Sequence, residues 1–297
     1  MLFVAALCIA AQFSINKLYQ KTCADGLKNM LLFPFVSGVF SVALFALLGF
    51  WLYGKPPEFS WFSLAMSVAL SVVSTLSALV GLVIMKYGNL SVYSVFMMLG
   101  GMIMPYFFGL FFLGETISLS RVAGIAILVC ALPFSVASPA QGKKAAPAKF
   151  YYMLCIAIFL LNGSVSIISK AHSISVSAVP AANFIVYANI CNALINGAAY
   201  FMVAPRRPGE AEKREAKPNK ARAVLTIAIC AAVGGVGYLL QLISAETVPA
   251  VAMYPFITGG SIVLSAVAAR IFFKEKIGKM AAAGIAMSIV GVLLCRK

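Results

Sequence analysis

Acidic residues are scarce in this sequence: eight in 297 positions, with charged residues of both signs making up 10%. An ordinary soluble domain carries about 25%, and a soluble chain of this length needs far more polar surface to cover its core. Histidine occurs once, as His172, and the seven cysteines show no C-x-x-C spacing. Neither a zinc site nor a disulfide framework is therefore expected. Most of the cysteines lie inside apolar runs, where a thiol behaves as a small hydrophobe. H-E-x-x-H is absent, as is a Gly-Asp pair, and the lone histidine is not set near mid-membrane to activate a serine. An intramembrane enzyme is not the expected class, and no cofactor or metal is expected.

What the sequence does have is apolar length. Hydrophobic residues make up 62%, and the acids (Asp25, Glu58, Glu115, Glu210, Glu212, Glu215, Glu246, Glu275) fall in or beside short breaks between apolar runs. Each run is roughly 20 residues, the length that crosses a hydrocarbon layer. Backbone groups in lipid must be satisfied within their own segment, and the runs lack the alternation of barrel strands. The expected fold is all-α, a polytopic membrane protein of ten transmembrane helices. Spans are expected near 2–21, 29–52, 61–85, 90–113, 117–138, 150–170, 179–203, 223–244, 250–273 and 279–296. The first of them lacks a basic leader and a cleavage site, and reads as a spanning helix rather than a signal peptide. The stretch from Pro205 to Arg222 has ten charges and three prolines with no apolar face, and reads as a solvated loop.

An internal repeat is visible. Gly100-Gly101, Phe111-Phe112, Glu115 and Gly124-Ile125-Ala126 recur as Gly259-Gly260, Phe272-Phe273, Glu275 and Gly284-Ile285-Ala286. Ile15-Asn16-Lys17 is echoed more weakly by Ile168-Ser169-Lys170. The halves divide as 1–138 and 150–297, joined by a linker at 139–149 that includes Gln141-Gly142-Lys143-Lys144. Five helices is an odd number, so successive copies enter the membrane in opposite directions. Such inverted repeats place a solute site at the interface between them.

The turn Leu113-Gly114-Glu115 followed by Gly124 resembles the signature of the drug/metabolite transporter superfamily, in its EamA-type branch. Asn162-Gly163-Ser164 with Lys170 is similar to that family's pattern in the first helix of a half, and Tyr254-Pro255 with Gly259-Gly260 fits its ninth helix. The likeness covers nearly the whole chain. It departs at Lys274-Glu275, where the family often has Gly-Glu, and in the first span, which has no Trp-Gly. The resemblance implies a ten-helix transporter, but the fold alone names no substrate.

The net charge of +15 is scattered over loops rather than clustered on a soluble module, so nucleic acid is not an expected partner. Of the 23 lysines and arginines, 18 lie at the end reached by the odd-numbered spans, leaving Lys55, Arg121, Lys170, Arg296 and Lys297 at the other. The positive-inside rule then puts both termini outside, whereas the family resemblance implies cytoplasmic termini. The charge count is preferred. A multi-pass protein of a bacterial cytoplasmic membrane is expected, its partners a small solute and the bilayer, with a homodimer compatible.

No acid is expected at mid-membrane depth, so the buried carboxylate that serves proton-coupled exporters is lacking unless Glu246 is drawn into the cavity as a coupling group. Glu115 and Glu275 read as caps for the helix that follows each. Polar residues recur on one face of three spans: Gln12, Asn16 and Gln20; Asn162, Ser166 and Ser169; Asn189, Asn192 and Asn196. An unsatisfied amide facing lipid is costly. For the first and sixth spans, cavity lining and interhelical bonding weigh evenly; the asparagines of the seventh read as interhelical bonds. Ser63, Ser67, Ser71 and Ser74 read as a close-packing stripe before a hydroxyl-lined path. An aromatic pocket is expected from Tyr93, Phe96 and Met97 facing Tyr254, Pro255 and Phe256, completed by Tyr187, Phe184 and Gln241. A cage of that kind suits an organic cation or aromatic solute, which tilts the expected cargo toward a compact amine, quaternary ammonium or amino acid. Lys17 and Lys170 read as snorkelling to the headgroups, and His172 as a solvated or capping loop residue. A flippase for an amphiphilic or lipid-linked substrate is the alternative reading.

Overall fold

The computed structural model describes residues 1–22, 27–54, 58–87, 90–116, 118–135, 148–202, 220–272 and 279–295. Among them are ten helices and no strand: α1 (Leu2–Thr22), α2 (Leu27–Tyr53), α3 (Trp61–Tyr87), α4 (Leu90–Phe112), α5 (Leu119–Ser135), α6 (Ala148–Ser173), α7 (Ala181–Met202), α8 (Lys220–Thr247), α9 (Ala250–Phe272) and α10 (Lys279–Cys295). Most of the linker, much of the Pro205–Arg222 loop, and Asp25 and Glu275 lie outside the described residues; α6 already begins at Ala148. Seven helices, α2–α4 and α6–α9, are long and apolar enough to cross a membrane, and α1, α5 and α10 carry shorter apolar stretches. Large apolar side chains point outward, Leu47 at 72% and Trp51 at 80% exposure. That surface is tolerable only in lipid; the chain is an integral multi-pass membrane protein.

Lipid tails are as apolar as leucine, so helices in a bilayer associate by close packing and polar contacts. Small residues mark the crossings between the two halves of this chain. At the α5–α10 crossing Gly124 and Gly291 face each other, so a Cβ on either would come within 2.8 Å of the other's carbonyl oxygen. Where α4 crosses α6, a Cβ on Gly100 would collide with the Phe159 carbonyl. Gly38 of α2 similarly meets Ala193 of α7. The principal neighbours of most helices lie in the other half: α5 on α10, α2 on α7, α4 on α6, α1 on α8 and α9, and α3 on α6 and α7.

Two corrections concern buried charge and polarity. The cluster Ser169–Ser173 reads as a helix end, yet α6 runs through it to Ser173. Lys170 does not snorkel and His172 is not in a loop; they are 3% and 2% exposed. Both are buried because partners wait for them. The Lys170 ammonium donates to the carbonyls of Ala245 and Val248 at 2.6 and 2.8 Å, the acceptor-rich C-terminal turn of α8. His172 Nε2 lies 3.0 Å from Ser63 Oγ.

Glu115 caps a helix, but α9 rather than the expected α5. Its carboxylate accepts from the amides of Ala250 at 2.7 Å and Val251 at 2.9 Å. Gly114, at φ +64°, turns the chain back at the end of α4, a conformation that suits glycine. Gly109 leaves the space, since a Cβ there would meet the carboxylate at 2.5 Å. The start of α5 is capped instead by Ser118, whose hydroxyl accepts from Arg121 N at 3.3 Å. The α8–α9 corner thus has a cation on its carbonyl end and an anion on its amide end.

Candidate functional site

Six helices line a partly open chamber of about 410 Å³, a size suited to a small ligand. Its walls are Ile9 and Gln12 of α1, Ser37 and Ser41 of α2, Leu70, Ser71 and Ser74 of α3, and Val165 of α6. Ile185, Ala188, Asn189 and Asn192 of α7 and Ala231, Gly234, Gly235, Tyr238 and Gln241 of α8 complete it. The void exists because small residues face it where bulky ones would close it: Ala188 and Ala231 are buried at the wall, and the Gln12 carboxamide lies against Gly234. Among the described residues, none of those lining it carries a charge.

A second pocket of about 730 Å³ opens at one end of the bundle, lined by Leu52, Tyr53, Glu58, His172, Ser173, Ser175, Ala178, Val179, Pro180, Ala181, Ile243 and Glu246. Four helices, α2, α6, α7 and α8, contribute to both spaces, and on three of them a buried large side chain separates the two sets. Phe45 lies between Ser41 and Leu52 on α2, Phe184 between Ala181 and Ile185 on α7, and Leu242 between Gln241 and Ile243 on α8. These three belong to one packed cluster with Leu70, Val179 and Leu239. His172 ties that layer together. Its ring stacks on Phe184 with centroids 3.7 Å apart and on Phe62 at 6.0 Å. Ser63, bonded to His172, also accepts from Val179 N at 3.0 Å. A layer of aromatic and aliphatic side chains, pinned by one polar cluster, thus lies between the residues of the chamber and those of the end pocket.

The residues singled out from sequence divide into three groups. Gln12 and Gln241 line the chamber. Glu246 is exposed in the end pocket, which Glu58 also lines, rather than in the chamber. The others, Tyr93 apart, line neither space. Asn16 accepts from the Cys230 thiol at 3.1 Å, joining α1 to α8. Asn162 donates to Met97 O at 2.7 Å and Ser166 to Gly101 O at 3.3 Å, joining α6 to α4. Tyr254 donates to Ser166 O at 2.6 Å and Tyr187 to Glu58 O at 2.6 Å. Phe96 and Met97 are partly buried away from the chamber, and the Tyr93 side chain lies outside the described residues. Among the described residues no aromatic cage surrounds the chamber; the one aromatic lining it there is Tyr238, whose hydroxyl pairs with Ser169 at 2.7 Å.

Residues read as packing or bonding groups turn out to border the void. Asn189, Asn192, Ser71 and Ser74 are chamber-lining, while Asn196 bonds as expected, to Thr75 and Asn192. Ser37, Ser41 and Tyr238 were not foreseen. Polar side chains at helical spacing were the available signal, and which neighbour each face meets was the missing information.

Residues 149–296, close to half of the chain, match the EamA-like transporter family. No curated protein sequence matches significantly. Among solved structures, one whose title says only that it is the crystal structure of a protein is 14% identical, with a TM-score of 0.73 over 99% of this chain and 95% of that one. At that identity the likeness establishes a shared fold.

Proposed function

Because the chain belongs to the EamA-like transporter family, we propose that it is a secondary transporter or exchanger that passes a small organic metabolite through the six-helix chamber by alternating access. The chamber itself carries the reading. It is walled by α1–α3 from the first half and α6–α8 from the second, and one packed layer separates it from the end pocket. Exchanging each helix for its counterpart five positions on maps the pairings α1–α8 and α3–α6 onto each other and leaves α2–α7 and α5–α10 in place. That exchange supports two related halves that open the chamber to either side in turn. Of the cargoes favoured from sequence, a quaternary ammonium finds no aromatic cage among the described residues, and an amino acid remains compatible in size. Purified protein in liposomes is expected to show saturable uptake accelerated by the same solute trapped inside. Uptake no faster than in protein-free liposomes, for every water-soluble class tried, overturns the reading.

A further inference from the structure

The chamber's hydrogen-bonding pattern specifies more than a size. Building on the transport site proposed above, we propose that the cargo is a solute without ionised groups whose polar atoms are hydroxyls or amides, the chemistry shared by polyols, aldoses and nucleosides.

Consider first which lining groups are already occupied. Ser71 donates to Ala188 O at 2.9 Å, Asn189 Nδ2 to Ile185 O at 2.8 Å, and the Tyr238 hydroxyl is paired with Ser169. Asn192 Oδ1 accepts from Asn196 at 2.6 Å. Those bonds leave the Asn192 amide nitrogen as a donor and the Asn189 amide oxygen as an acceptor, three residues apart on one face of α7. The Gln12 carboxamide, which makes no hydrogen bond among the described residues, presents one donor group and one acceptor from α1. The wall therefore offers both donors and acceptors. A hydroxyl or an amide can answer both, whereas a carboxylate only accepts and an ammonium only donates.

The electrostatics point the same way. A charge taken out of water needs a partner, and among the described residues the chamber has no charged side chain. Transporters of this architecture can supply partial charge through broken helices whose ends face the solute. Here the six lining helices run unbroken through the chamber. The buried Lys170 and the half-buried Glu115 are committed elsewhere, Lys170 to the end of α8 and Glu115 to the start of α9. Glu58 and Glu246 lie beyond the packed layer, in the end pocket.

The test uses the full chain in liposomes with four labelled probes: sorbitol, uridine, alanine and choline. Each is measured for uptake with the parent protein and with Gln12→Leu and Asn192→Leu, after gel filtration shows the variants fold. Saturable uptake of sorbitol or uridine, exceeding that of alanine and choline at least tenfold and lowered at least tenfold by either variant, is the expected result. Which of the two neutral probes moves separates polyol from nucleoside chemistry. Uptake of alanine or choline in preference overturns the cargo assignment and leaves the transport reading standing. Neutral uptake that both variants leave unchanged overturns the role given to these amides, and uptake of none of the four overturns the cargo assignment together with the transport reading beneath it.

Discussion

Replacing Glu115 by alanine removes both acceptors from the first amides of α9, Ala250 N and Val251 N, held at 2.7 and 2.9 Å. The first four amides of any helix lack partners within it, so these two depend on the carboxylate. A hydrogen bond to a charged group contributes about 1.5–3 kcal/mol. Two such bonds set the upper range near 3–6 kcal/mol, and water reaching a corner at the end of the bundle recovers part of that, leaving about 3 kcal/mol. At about 2–4 °C per kcal/mol, the midpoint of thermal unfolding in detergent is expected to fall by about 6–12 °C. Glu115→Gln keeps one acceptor oxygen without the charge and is expected to lose roughly half as much. Lys170→Met strips the carbonyl side of the same corner, and because the two groups share it, their double variant is expected to deviate from additivity by at least about 0.5 kcal/mol. A Glu115→Ala midpoint within about 1 °C of the parent would refute the claim that this carboxylate holds the corner.

Gly100→Ala is expected to abolish assembly of α4 on α6, because its Cβ would collide with the Phe159 backbone carbonyl, which no side-chain rotation relieves; monodisperse protein on gel filtration at parental yield contradicts this. Ser67 Oγ is fully buried without a hydrogen-bond partner, so Ser67→Ala is expected to raise stability by about 1 kcal/mol, and a lowered unfolding midpoint argues that the hydroxyl has a partner in the folded protein. His172→Ala empties the space between Phe62 and Phe184 and strips Ser63 of its partner; a loss of about 2–4 kcal/mol is expected on denaturation, and an unchanged protein shows that the stack does not hold the layer. Single cysteines at Glu58 and Arg222, in a background without accessible native thiols, should label from opposite sides of the membrane, with Arg222 cytoplasmic by the charge bias. Labelling of both from one side contradicts the helix order, and a cytoplasmic Glu58 reverses the orientation.

The ten helices were legible because in lipid the length of an apolar run and the position of glycine, proline and charge determine where a helix starts and stops. Expected and observed ends differ by a few residues. The exceptions are informative. Ser169-Lys170-Ala171-His172-Ser173 has the composition of a loop, yet α6 continues through it because the end of α8 and Ser63 of α3 satisfy its polar groups, and those partners are 75 and 109 residues away. Glu115 was legible as a cap but not as the cap of α9, since only the fold brings Ala250 within reach. The same limit divides the candidate site. Gln12 and Asn16 share a face of α1 and look equivalent in sequence. One rests over Gly234 at the chamber wall, while the other meets the Cys230 thiol one turn nearer the start of α8. Helical spacing locates polarity on a face, but whether that face is consumed by a neighbour depends on how closely the neighbour approaches. Glycine and alanine on the opposing helix set that approach. A polar side chain inside a membrane protein is thus available for solute only where packing brings small residues opposite it without a matching hydrogen-bonding group, a property of a helix pair that neither helix shows alone.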